Sequence, residues 1–182
     1  MVRLHPKRNA MLRSKSLPLL LALALLPTVA HAAKINKASA TVTDGNIRAA
    51  DVAAQQIFHG GLLVQFQEVG VPGSNVATNY RVTADCSAIY ACVNNGGNTP
   101  NATNKQGVQG PVSALSTFSS DGNGKVIGAI GVPPLNAPNG FSCVPGQSIV
   151  LAGVSYTNVV ITDTTNGAST SIPGTFSLTF VQ

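Results

Sequence analysis

Between residues 80 and 92 hydrophobic and polar positions alternate with a period of two. Tyr80, Val82, Ala84, Cys86, Ala88, Tyr90 and Cys92 form one set, and the other begins Arg81, Thr83, Asp85, Ser87. Side chains on a strand point to opposite faces in turn, so the first set predicts a buried face and the second a wet one. Beyond Ser87 the second set becomes Ile89, Ala91 and Val93, which predicts an end covered on both faces. The same alternation places Leu62, Val64 and Phe66 inward and Gln65 and Gln67 outward on a strand over 62–68. Near the C-terminus Ile172, Phe176, Leu178 and Phe180 alternate with Ser171, Thr175, Ser177 and Thr179.

Elsewhere the pattern is weaker. Residues 38–43 read as a strand before an Asp44-Gly45 turn, and 51–58 suits either a strand or a short helical turn. Residues 111–119 and 125–132 read as a hairpin around Asp121-Gly122-Asn123-Gly124, and 148–163 as one bent strand or two. Residues 94–110 read as a long polar loop, the first candidate for a binding surface. No amphipathic helix of useful length and no internal repeat is present. Short strands separated by glycine and proline turns predict an all-β fold, an antiparallel immunoglobulin-like β-sandwich in a single domain.

The N-terminus changes the charge reading. Arg3, Lys7, Arg8, Arg13 and Lys15 precede an apolar run over 17–26 and an Ala30-His31-Ala32 motif. This is the layout of a secretory signal peptide, so the expected division is 1–32 signal peptide and 33–182 secreted domain. The apolar run is too short to span a bilayer, and no membrane insertion is expected. The five leader bases equal the whole formal net charge of +5, and six bases face six acids in the 150 residues that follow. No electrostatic footprint for nucleic acid remains. Gly, Asn, Thr and Ser supply 59 of those 150 residues, so the surface is solvated by amides and hydroxyls. Low net charge and alternating apolar runs argue against disorder.

The chain carries three cysteines. Cys86 and Cys92 share a face but lie about 20 Å apart on a continuous strand, at ~3.3 Å per residue, too far for a disulfide. Cys143 bonds one of them or neither. The preferred pair is Cys92–Cys143, because both lie at strand–loop borders and Cys86 sits in mid-strand. Cys86 is then a small buried hydrophobe, with a reactive or intermolecular thiol as the alternative. Tyr90-x-Cys92 has the spacing of an immunoglobulin tyrosine corner, but the partner cysteine expected far upstream is missing and the chain has no Trp.

Candidate chemistry is thin. His59 is the one histidine after the leader, beside Gly60-Gly61, and reads as a loop residue; C-x2-C spacing and a G-x-S-x-G elbow are absent. Glu68 and Asp85, on neighbouring strands, are the best carboxylate pair for hydrolysis, although Asp85 lies on the wet face. Asp121-Gly-Asn-Gly-Lys125 has the start of a calcium loop without its later ligands, and a glycine-rich turn explains it. Asn101-Ala102-Thr103 has the form of a glycosylation sequon.

Tyr90-Ala-Cys-Val-Asn-Asn-Gly-Gly-Asn-Thr-Pro-Asn-Ala-Thr-Asn-Lys105, with Phe141-Ser-Cys-Val-Pro-Gly-Gln147 and Val154-Ser-Tyr-Thr-Asn-Val159, resembles small secreted bacterial proteins of unassigned function. The likeness covers roughly residues 62–180. It implies a bridge between Cys92 and Cys143, marks Cys86 as a departure, and carries no activity. The expected function is therefore a secreted or periplasmic, non-catalytic protein with a binding or structural role, needing no cofactor. The alternatives are a small carboxylate-dependent hydrolase and a subunit of a surface fibre or coat completed by a partner strand.

Overall fold

A computed structural model describes residues 32–45, 58–94 and 104–180. The leader up to residue 31, residues 51–57 of the ambiguous segment and the sequon at 101–103 lie outside the described residues. Eight strands form among those that are described: β1 Lys34–Val42, β2 Leu62–Val69, β3 Ala77–Asn94, β4 Lys105–Ser119, β5 Val126–Val132, β6 Gln147–Asp163, β7 Ser169–Ile172 and β8 Phe176–Thr179. They make two antiparallel sheets. One has the order β1-β2-β5; the other has β4-β3-β6-β7, with β8 also on β6. The all-β, antiparallel, sandwich-like expectation is met.

Alternation explains the core. On β3, Tyr80, Val82, Ala84, Cys86 and Ala88 are buried, and they share one cluster with Leu62, Val64 and Phe66 of β2 and Val126, Ile130 and Val132 of β5. The ring of Phe66 meets Tyr80 and Phe118 across the gap between sheets, with centroids 4.5 and 5.5 Å apart. Gly128, opposite Phe66 in the ladder, makes room for two of them: a Cβ there would lie 2.8–2.9 Å from the rings of Phe66 and Phe118.

Three expectations are corrected. Lys105–Gly110 is not loop but the first part of β4, held by the ladder to β3 from Ala91↔Lys105 to Cys86↔Gly110. Asp121–Lys125 does reverse the chain, yet β4 and β5 are not a hairpin: β4 pairs β3 and β5 pairs β2, so the turn crosses between sheets. A turn signal specifies the reversal and leaves the partner open. The far end of β3 is not covered on both faces: Ala91 is buried, Val93 is half-buried, and Ile89 is 45% exposed. The extra residue Ala152 of β6, between Ile89↔Gly153 and Tyr90↔Leu151, shifts the register there, and Ala91 and Cys92 are buried in succession beyond it.

Residues 148–163, read as one bent strand or two, belong to the one strand β6. The single strand expected at the C-terminus is corrected: Pro173-Gly174-Thr175 breaks it into β7 and β8, which line the same side of β6.

Candidate functional sites

The outer face of the five-stranded sheet carries a shallow polar groove of about 380 Å³ around Asp85, lined by Ser87, Gln109, Pro111, Ser155 and Thr157. Its walls follow from register: Pro111 and Thr157 stand opposite Asp85 on the two neighbouring strands, and Gln109 and Ser155 stand opposite Ser87. Asn158 is one residue too many for the ladder, which runs Thr83↔Val160 and then Asp85↔Thr157. It takes a φ of 51°, in the left-handed region that Asn tolerates better than most residues. That twist turns its carboxamide outward, where Nδ2 donates to Asp85 Oδ2 at 2.7 Å. The groove offers hydroxyls, amides and one carboxylate, a set suited to hydrogen-bonding a polar ligand rather than to proton transfer between two acids.

A second cluster is sealed inside. Glu68, Tyr80, Asp163 and Thr78 are all fully buried. Tyr80 donates its hydroxyl to Glu68 Oε2 at 2.5 Å. Asp163 Oδ1 accepts the backbone N–H groups of Thr165 and Asn166 at 2.7 and 3.0 Å, and Oδ2 accepts Asn166 Nδ2 at 2.7 Å. Glu68 Oε1 and Thr78 Oγ1 have no hydrogen-bond partner. Burial pushes the Glu68 carboxyl up to about 7; the Tyr80 hydrogen bond opposes this and the neighbouring Asp163 adds to it. Burial and the adjoining Glu68 raise the Tyr80 hydroxyl as well.

The sheet therefore separates the proposed carboxylate pair: Glu68 faces the interior and Asp85 the solvent. Glu68 instead meets Asp163. The signal was present, since Leu62, Val64, Phe66 and Glu68 have the same parity; Asp163 was hidden because the bulges in β6 reset its alternation.

The other candidates have local explanations. His59 is exposed, its Nδ1 lies 2.8 Å from the Asp44 carbonyl oxygen, and its ring packs against Phe180 at 4.2 Å. Asp121 Oδ1 accepts the backbone N–H groups of Asn123 and Lys125 at 2.9 and 2.8 Å, which holds the carboxyl below its usual range. That carboxylate closes its own turn. Cys86 is free and buried, and burial raises its thiol. Tyr90 donates to the Leu135 carbonyl at 2.6 Å, 45 residues downstream, unlike a tyrosine corner, which bonds a few residues upstream. Cys92 and Cys143 form the disulfide, with Cα atoms 5.6 Å apart.

No protein family, curated protein or solved structure matches the chain. Among the described residues, no helix is long and apolar enough to cross a membrane, and no group of three or more His, Cys, Asp or Glu is placed to hold a metal ion.

Proposed function

We propose that the chain is an exported, non-catalytic protein of immunoglobulin-like type, with a binding or structural role at the cell envelope or outside the cell. The observation that carries this reading is the division of its polar groups. Among the described residues, the two acids that interact, Glu68 and Asp163, are sealed between the sheets, and Asp85, on the surface, has an amide as its partner. The strand order supports the immunoglobulin-like part: the pairings β1–β2, β2–β5, β3–β6 and β6–β7 are those of strands A–B, B–E, C–F and F–G in a constant-type domain, with the fourth strand moved beside the third. Export is supported by the leader-like sequence and by a disulfide, which persists in oxidising compartments. The resemblance to small secreted bacterial proteins points the same way. The Asp85 groove is a part of the surface suited to a polar ligand.

The test is a non-reducing intact mass of the protein from its native compartment, with free thiols alkylated, followed by ligand and substrate screens with Asp85→Ala and His59→Ala. A chain starting at Ala33 with one disulfide and one labelled thiol is expected, with no turnover of glycans or esters. A turnover lost in either folded variant would overturn the non-catalytic reading.

One observation favours a second reading, a fibre or coat subunit. β4 is 15 residues long, borders its sheet, and has a strand partner on one side only among the described residues. Such an edge can accept a strand from another molecule. Monomeric sedimentation at high concentration and no assembly in the native envelope would dispose of it.

A further inference from the structure

Two carboxyl groups meet in the interior at one end of the sheets. Glu68 belongs to β2 of the three-stranded sheet, while Asp163 and Tyr80 belong to β6 and β3 of the other and are paired in its ladder. Asp163 is supplied with three N–H donors, as a buried anion requires. Glu68 has one donor, the Tyr80 hydroxyl, and an Oε1 with none. Among the described residues, the groups facing Glu68 from the opposite sheet are Tyr80 and Asp163, with Thr78 beside Tyr80, and none is a cation. On its own sheet its ladder partners are Ile35 of β1 and Val126 of β5. Lys34 and Lys37 of β1 are exposed, and Lys125, before β5, is half-buried. A carboxylate buried beside another without a cation is strongly disfavoured, whereas a carboxylic acid there has an anionic neighbour toward which Oε1–H can point.

We propose that Glu68 is protonated in the folded protein and that loss of this proton weakens the contact between the two sheets, so that the fold holds best in acid and loosens as its surroundings become neutral to alkaline. The departing proton goes to solvent. The anion left behind must be hydrated, which requires water to enter between β2 and β3.

The experiment compares the protein recovered from its native compartment with Glu68→Gln, by denaturant unfolding from pH 4.5 to 8.5. Gln keeps an acceptor for the Tyr80 hydroxyl and cannot ionise. Between pH 4.5 and 7.5 the unfolding equilibrium constant of the native chain should rise by roughly 10²-fold relative to the variant. Equal pH slopes in the two proteins would overturn the proposal. Hydrogen exchange of the Glu68 and Tyr80 amides in the unsubstituted protein provides a second reading. After correction for intrinsic base catalysis, local opening should increase as pH rises through about 7; opening that is independent of pH would equally overturn it.

Discussion

Asp85 and Glu68 have the same chemistry and sit on neighbouring stretches of sequence, yet they have opposite fates. Asp85 projects from the outer face of β3 into water, where Asn158 hydrogen-bonds it. Glu68 projects from β2 into the gap between sheets, where Tyr80 is its donor and Asp163 its neighbour. One step in strand parity decides between them, because it moves a side chain to the other face. Outside, a carboxylate is solvated and contributes little to stability. Inside, the same group must be neutral or paired, and its protonation becomes a term in folding.

The largest contrast should come from deleting the interior donor. Tyr80 is fully buried and packs at an angle against Phe66 and edge-on against Phe118. Tyr80→Ala should cost about 3–5 kcal/mol in chemical denaturation, since it opens a cavity and strips Glu68 of its hydrogen bond. A loss below ~1 kcal/mol would show that the cluster does not matter to folding.

Next comes pH. The Glu68 carboxyl is raised from 4.5 to about 7 on folding. Between those values the folded state binds the proton more tightly than the unfolded state, so stability falls as pH rises. The contribution is complete below pH 4.5 and gone above about 7, a change of about 3 kcal/mol at ~1.4 kcal/mol per unit. Thermal melts across this window, with Glu68→Gln as the reference, measure it.

The exterior substitutions should be smallest. Asp85→Ala should shift stability by no more than ~0.5 kcal/mol, because its one partner is also solvated. Asn158→Gly should be neutral or slightly stabilising, since glycine adopts the left-handed conformation freely. If Asp85→Ala destabilised as much as Tyr80→Ala in parallel melts, the distinction between the two faces would fail.

Parity made much of this fold legible. It located β3, β2 and the inward aromatic residues of the C-terminal strands, and the placement of Cys86 in mid-strand directed the disulfide to Cys92 and Cys143. It did not reveal Lys105–Gly110 as strand, because a stretch with two glycines and no aromatic residue has little preference of its own and is ordered by the length of β3 beside it. Nor did it reveal that the Asp121 turn changes sheets, which depends on contacts distant in sequence. The Asp85 groove was half legible. Alternation put Asp85 outside, but the bulge that brings Asn158 to it follows from register between strands 73 residues apart.

The most direct measurement is a carbon-13 NMR titration of the Glu68 carboxyl, assigned by its disappearance in Glu68→Gln. A midpoint near 7 in the folded protein is the predicted result. A midpoint at the ordinary glutamate value near 4.5 would contradict the account, because Glu68 would then be a buried anion that the fold tolerates without a proton.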